Sequence, residues 1–139
     1  MLRRLFILFA LLLAPAVANA QNIRPQLVAE GPAPRGGEVE LAIHMRTTPG
    51  WHGYWQNPGD AGLPMTIEWQ LPPGFDVGPL RYPVPTRLTI AGIMNYVYEQ
   101  DYALLVRLKV PANASGVVPI RASARWLASS AAPPVSVRG

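Results

Sequence analysis

Glu38-Val39-Glu40-Leu41-Ala42-Ile43-His44-Met45-Arg46 decides the fold class, because it alternates polar and apolar residues with the period of a strand. Val39, Leu41, Ile43 and Met45 are predicted to share one face, with Glu38, Glu40, His44 and Arg46 on the other. Three further stretches repeat the pattern. Met65-Thr66-Ile67-Glu68-Trp69-Gln70-Leu71 puts Met65, Ile67, Trp69 and Leu71 inward, and Pro72-Pro73-Gly74 stops it. Leu104 to Val110 puts Leu104, Val106, Leu108 and Val110 inward and leaves Arg107 and Lys109 wet. Val117 to Leu127 puts Val118, Ile120, Ala122, Ala124 and Trp126 on one side. Shorter strands are expected at Gln26–Glu30, Trp51–Trp55, Val77–Tyr82 and Tyr96–Tyr98.

The chain carries 16 prolines and 12 glycines, which cut it into pieces too short for long helices. Several short strands between Pro/Gly turns, with no amphipathic helix, read as an all-β antiparallel sandwich around one core. No internal repeat or low-complexity linker divides it.

The N-terminus has a different composition. Met1-Leu2-Arg3-Arg4 is positively charged, an apolar run follows from Leu5 to Val17, and Ala18-Asn19-Ala20 is a small-x-small site. This is the layout of a secretory signal peptide, residues 1–20, cleaved after Ala20. Pro15 interrupts the run, which is too short to span a bilayer. The mature form is therefore expected to be soluble and periplasmic. Loss of Arg3 and Arg4 takes the net charge from +4 to +2. The remaining basic residues lie singly, so nothing points to nucleic acid.

Cysteine is absent from all 139 residues. An exported domain usually draws on disulfides; this one must hold by packing and has no redox-active thiol. His44 and His52 are the only histidines and lie on separate segments, so no metal site is expected, and no cofactor. No serine sits in a Gly-x-Ser-x-Gly elbow. Glu99 and Asp101 are near neighbours, but such a pair is usually a solvated turn. Asn113-Ala114-Ser115 matches the glycosylation sequon only weakly.

The densest polar–aromatic segment is Trp51-His52-Gly53-Tyr54-Trp55-Gln56-Asn57-Pro58-Gly59-Asp60-Ala61-Gly62-Leu63-Pro64. Its plain reading is a strand with core aromatics followed by a turn. The alternative is a non-catalytic β-sandwich binding or docking module that shows Trp51, Tyr54 and Trp55 at its surface.

That segment resembles the N-terminal periplasmic domain of DsbD/ScsB-like thiol:disulfide interchange proteins, the disulfide bond corrector family. Leu80-Arg81-Tyr82-Pro83-x-Pro85, Asn95-Tyr96-x-Tyr98-Glu99 and Ala124-x-Trp126-Leu127 resemble later parts of the same domain. The resemblance runs from about Gln26 to Leu127. It implies an immunoglobulin-like fold and a part in thiol–disulfide exchange and cytochrome c-type biogenesis. The implied partners are a membrane-embedded thiol reductase domain and periplasmic thioredoxin-like disulfide isomerases. The motif residues it marks are Trp51, His52, Tyr54, Trp55, Asn57, Asp60, Tyr96, Tyr98, Glu99 and Trp126.

The family pattern then continues into Cys-x-x-x-Cys. Here Ser129 stands at the first cysteine position and Pro133 at the second. A serine hydroxyl forms no disulfide, so the resemblance implies a redox-inactive copy with no catalytic residue. Residues 21–128 are expected to form the domain, lacking its last strands, and Ser129 to Gly139 an irregular tail. Two explanations fit: a truncated or frameshifted copy, which the tail's composition favours, or a Cys-less docking domain.

Overall fold

The computed structural model describes residues 8–15 and 22–130. Among them there are eleven strands and no helix: β1 (Leu8–Pro15), β2 (Ile23–Ala29), β3 (Glu38–Thr47), β4 (Trp51–Gly59), β5 (Thr66–Gln70), β6 (Asp76–Val77), β7 (Thr86–Ile90), β8 (Ile93–Tyr98), β9 (Tyr102–Lys109), β10 (Val117–Arg125) and β11 (Ser129–Ser130). They form three sheets with the orders β2-β3-β9-β6, β1-β10-β5 and β11-β4-β8-β7. Every pair is antiparallel except β1 with β10. The result is an immunoglobulin-like β-sandwich.

The alternation in β3 does what its period requires. Val39, Leu41, Ile43 and Met45 are buried, while Glu38, His44 and Arg46 are exposed. β9 lies beside β3 in register, with Leu41 opposite Val106 and Ile43 opposite Leu104. Leu104, Val106, Leu108 and Val110 are likewise buried. β10 supplies Val118, Ile120 and Ala124 to the same core, and Trp126 and Ala128 follow. Met65, Ile67, Trp69 and Leu71 pack against it half-buried. Burying a Leu or Ile side chain is worth roughly 1.5–3 kcal/mol, and this core supplies the stability that no disulfide provides.

The wet face of the same ladder carries charge. Glu40 lies directly opposite Arg107, whose Nε is 3.6 Å from its carboxylate, and Arg81 reaches the same carboxylate from the neighbouring segment. These pairs are partly exposed and add little stability.

The expected strand at Val77–Tyr82 is broken. Asp76–Val77 pairs with β9 and the Gly78 amide still donates to the Arg107 carbonyl at 2.9 Å, then Pro79 interrupts, and Arg81 rejoins through a single bridge to Leu105. Pro79 has no N–H to give a ladder, so the chain touches β9 at intervals instead of pairing throughout. Strand β7 lies outside the expected strands. It joins β8 through the two-residue turn Ala91-Gly92, and Ala91 takes a positive φ of 52°. Asn-Gly or Asp-Gly marks such a turn in a sequence; Ala-Gly does not.

Pairing also continues past Ala128. Ser129 lies opposite His52 and Ser130 opposite Trp51. The rest of the expected tail, with Pro133, and the expected cleavage point after Ala20 lie outside the described residues. Leu8–Pro15, inside the expected leader, pairs with β10 as an edge strand.

Candidate functional site

Two of the four motifs, Trp51–Pro64 and Asn95–Glu99, meet in one sheet, and Ser129–Ser130 joins them there. The Trp51–Pro64 segment forms β4 and its following loop, Asn95–Tyr98 forms most of β8 with Glu99 just past its end, and Ser129–Ser130 closes the other side of β4 as β11.

β4 and β8 pair at Gly53–Tyr98 and Tyr54–Val97, then lose register until Gly59 meets Asn95. The Asn-Pro-Gly-Asp loop is fastened across that irregularity. The Asp60 amide donates to the Met94 carbonyl at 2.9 Å, and the Met94 amide donates back to the Asp60 carboxylate at 2.9 Å. The Asn95 side-chain oxygen accepts from the Ala61 amide at 3.0 Å. Asn95 is buried, one of two buried polar residues among those described. Asn57 accepts from the Gly59 amide at 3.2 Å within the loop itself.

Two glycines are required here. Gly59 has φ +89°, and a Cβ there would lie 2.5 Å from the Met94 carbonyl oxygen. Gly62 has φ +94°, and a Cβ there would lie 2.3–2.7 Å from three carbons of the Tyr54 ring. The loop thus closes over Tyr54 with no room for a side chain.

Tyr54 is the centre of the arrangement. It is 8% exposed, and its hydroxyl donates to Ser129 Oγ at 3.0 Å. His52 Nε2 lies 3.3 Å from the same hydroxyl, with the rings edge to face at 5.2 Å. With the Tyr54 proton given to Ser129, the imidazole tautomer that completes the chain is the one protonated on Nε2, which then donates to the phenol oxygen. His52 is 4% exposed. Burial lowers its pKa from the ordinary 6.5, against a smaller opposing pull from the Glu99 carboxylate. A neutral imidazole, a phenol and a hydroxyl thus form one chain that ends at residue 129.

The other aromatics are mostly structural. Trp51 packs half-buried on the core. Trp55 meets Tyr96 edge to face at 5.5 Å and borders a shallow groove with Arg81, Tyr82 and Pro83. Tyr98 stacks on Tyr102 at 4.2 Å and donates its hydroxyl to the Pro83 carbonyl at 2.7 Å. Burial pushes both hydroxyls well above the ordinary tyrosine range, so they stay neutral. Trp126 lies in the core with its indole nitrogen buried and, among the described residues, without a hydrogen-bond partner. Of the three aromatics that a surface module would display, Tyr54 is buried and Trp51 is packed inward.

Asp101 accepts from the Thr47 amide at 2.8 Å, so it fastens β3 to the start of β9 and forms no acid–base pair with exposed Glu99. Among the described residues no group of three or more His, Cys, Asp or Glu side chains could hold a metal ion. No helix among them is long and apolar enough to cross a membrane. Asn95 and Gly62 lie outside the expected site residues, although the first is a lone amide in an otherwise apolar and aromatic strand.

A family model described as "Thiol:disulfide interchange protein DsbD, N-terminal" matches residues 24–130. The chain belongs to that family. The match takes in β2 to β11 and ends on Ser130, at the site just described. Among solved structures, the N-terminal periplasmic domain of ScsB from Proteus mirabilis superposes with a TM-score of 0.61 at 20% sequence identity. The alignment covers 83% of this chain and 43% of that one, so the chain spans less than half of that domain's length. None of the curated proteins compared with it matches.

Proposed function

We propose that this chain is a periplasmic, redox-silent relative of the electron-passing DsbD N-terminal domain, which docks thiol-exchange partners without exchanging electrons. One observation carries the reading. Ser129, which the sequence resemblance puts at the place of the family's first cysteine, is held in a sheet and hydrogen-bonded by Tyr54, yet no cysteine is encoded anywhere in the sequence. Thiol–disulfide exchange proceeds through a thiolate attacking a disulfide sulfur, and an alkoxyl oxygen cannot take that part at neutral pH. What remains at the site is a shape: β4, β11 and the loop that closes over Tyr54.

The partners follow from the family: a membrane-embedded thiol reductase domain and periplasmic thioredoxin-like disulfide isomerases. The leader pattern at residues 1–20 supports export and cleavage after Ala20.

The test is a titration of the isotopically labelled protein with an oxidised periplasmic thioredoxin-fold domain, followed by backbone amide NMR. Shifts centred on Trp51–Tyr54 and Ser129–Ser130 are expected. Shifts absent, or confined to the β3–β9 side, would overturn the docking reading.

A further inference from the structure

The outer edge of β10 stands apart from the site. β5 pairs with β10 only from Arg121 to Arg125. Val117 to Ile120 pair with no other described strand except β1. β1 covers the whole of Val117–Ala124 in continuous parallel register, from Leu8 opposite Val117 to Pro15 opposite Ala124.

Without β1 the β1-β10-β5 sheet would have two strands among the described residues, facing a four-stranded sheet across a shared core. Two strands are a marginal sheet in water, and a bare edge leaves backbone N–H and C=O groups aimed at solvent or at another chain. Val118, Ile120, Ala122 and Ala124 are buried on the inner face of β10, so an added strand lies over the same core at alternate positions. On the outer face stand Arg121 and Arg125.

We propose that the β10 edge is a strand acceptor. In the uncut chain Leu8–Pro15 fills it. Once the leader is removed, it takes an extended apolar segment of a partner protein in the same parallel sense. This rests on the cleavage reading above. The geometry sets the partner's chemistry: about five to eight residues long, apolar at every second position, and without positive charge beside Arg121 and Arg125. Affinity comes from main-chain pairing and selectivity from the alternate side chains, as in other strand additions.

The test is amide hydrogen exchange on the full chain and on the form cut after Ala20 by signal peptidase. The probe is a synthetic peptide of the sequence from Leu8 to Pro15 with a glutamate tail for solubility after Pro15, on the side of Arg125. In the full chain the amides of Val117–Ala124 that face β1 should be protected; Pro119 has none to report. Cutting should lower protection at the β1-facing amides within Val117–Ile120 by at least about tenfold while β3 and β9 keep theirs, and the peptide should restore it. Two further peptides carry N-methyl groups, one at Phe9, Leu11 and Leu13, the other at Ala10, Leu12 and Ala14. A parallel strand turns only alternate amides toward its neighbour, so one of the two should fail to restore protection and the other should succeed.

The proposal is overturned if Val117–Ile120 stay protected in the cut form alone, through self-association or otherwise. It is also overturned if the unmodified peptide restores nothing, or if both N-methylated peptides work. A cut form that unfolds and refolds on peptide addition supports it; one that stays unfolded with peptide overturns it. If signal peptidase leaves the chain whole, the cleavage reading fails separately. The edge is then tested by Leu11→Pro combined with Leu12→Pro in the full chain. Loss of protection confined to Val117–Ile120 supports the acceptor, and unchanged protection overturns it.

Discussion

The β3–β9 pair and the β4–β8 pair sit in one domain but are held by different physics. β3 and β9 are regular, in register over eight residue pairs, and their stability is apolar burial on one face. β4 and β8 slip out of register after Tyr54. They are held by single polar contacts from Asp60 and Asn95, by two glycines with positive φ and by one tyrosine hydroxyl. The first region keeps the molecule folded. The second devotes its side chains to shaping one loop over Tyr54, whose hydroxyl meets Ser129, which is a reason to place function there.

The largest effect that separates the two should come from the regular side. Leu104 and Ile43 are fully buried opposite one another. Leu104→Ala is expected to cost about 2–5 kcal/mol in urea unfolding. Leu63→Ala, in the site loop but 63% exposed, should change stability by less than about 0.5 kcal/mol. Equal costs for the two would erase the contrast.

Next comes Gly62→Ala. The added methyl meets the Tyr54 ring, and the backbone sits where L residues are strained. A loss of about 1–3 kcal/mol is expected, with the Tyr54 and Ser129 resonances moving in NMR spectra while those of β9 stay in place. Movement spread evenly over both sheets would mean that the site loop is no separate unit.

Asn95→Ala leaves the Ala61 amide without its acceptor and should cost about 1–3 kcal/mol in thermal unfolding. A neutral result would show the loop to be held by Asp60 alone.

The smallest effect is one of pH. His52 has a folded pKa below its unfolded 6.5, so below that value the unfolded chain binds more protons than the folded one. Stability is therefore complete above about pH 6.5 and declines as pH falls through and below it. His52→Gln should flatten that part of the profile. A profile unchanged by the substitution would place the titrating group elsewhere.

The same contrast explains what the sequence discloses. Apolar residues at every second position need no partner to be recognised, so β3, β5, β9 and β10 are legible with their buried faces. The Trp51–Pro64 segment is legible as a family motif, and its plain reading as core aromatics plus turn is close to what Tyr54 and Trp51 do. The reason for Asp60 is not legible, because its partner, the Met94 amide, lies 34 residues along the chain. Nor is the junction of His52, Tyr54 and Ser129, which depends on a pairing across 75 residues. β7 escapes notice because its turn uses Ala91 at positive φ, where sequence reasoning expects Asn, Asp or Gly.

The central claim is that residue 129 lies at a thiol-exchange docking surface from which the sulfur is missing. Ser129→Cys tests it, with Ser115→Cys as an exposed control elsewhere on the molecule. Each single thiol is mixed with a periplasmic thioredoxin-fold protein whose reactive cysteine is held as a mixed disulfide with thionitrobenzoate. Attack by the introduced thiolate on the partner's sulfur forms the protein–protein disulfide and expels coloured thionitrobenzoate, so the rate is read directly. The Ser129→Cys variant should react at least about tenfold faster than the control, and excess unsubstituted protein should slow it by competition. Equal rates, or no competition, would contradict the account.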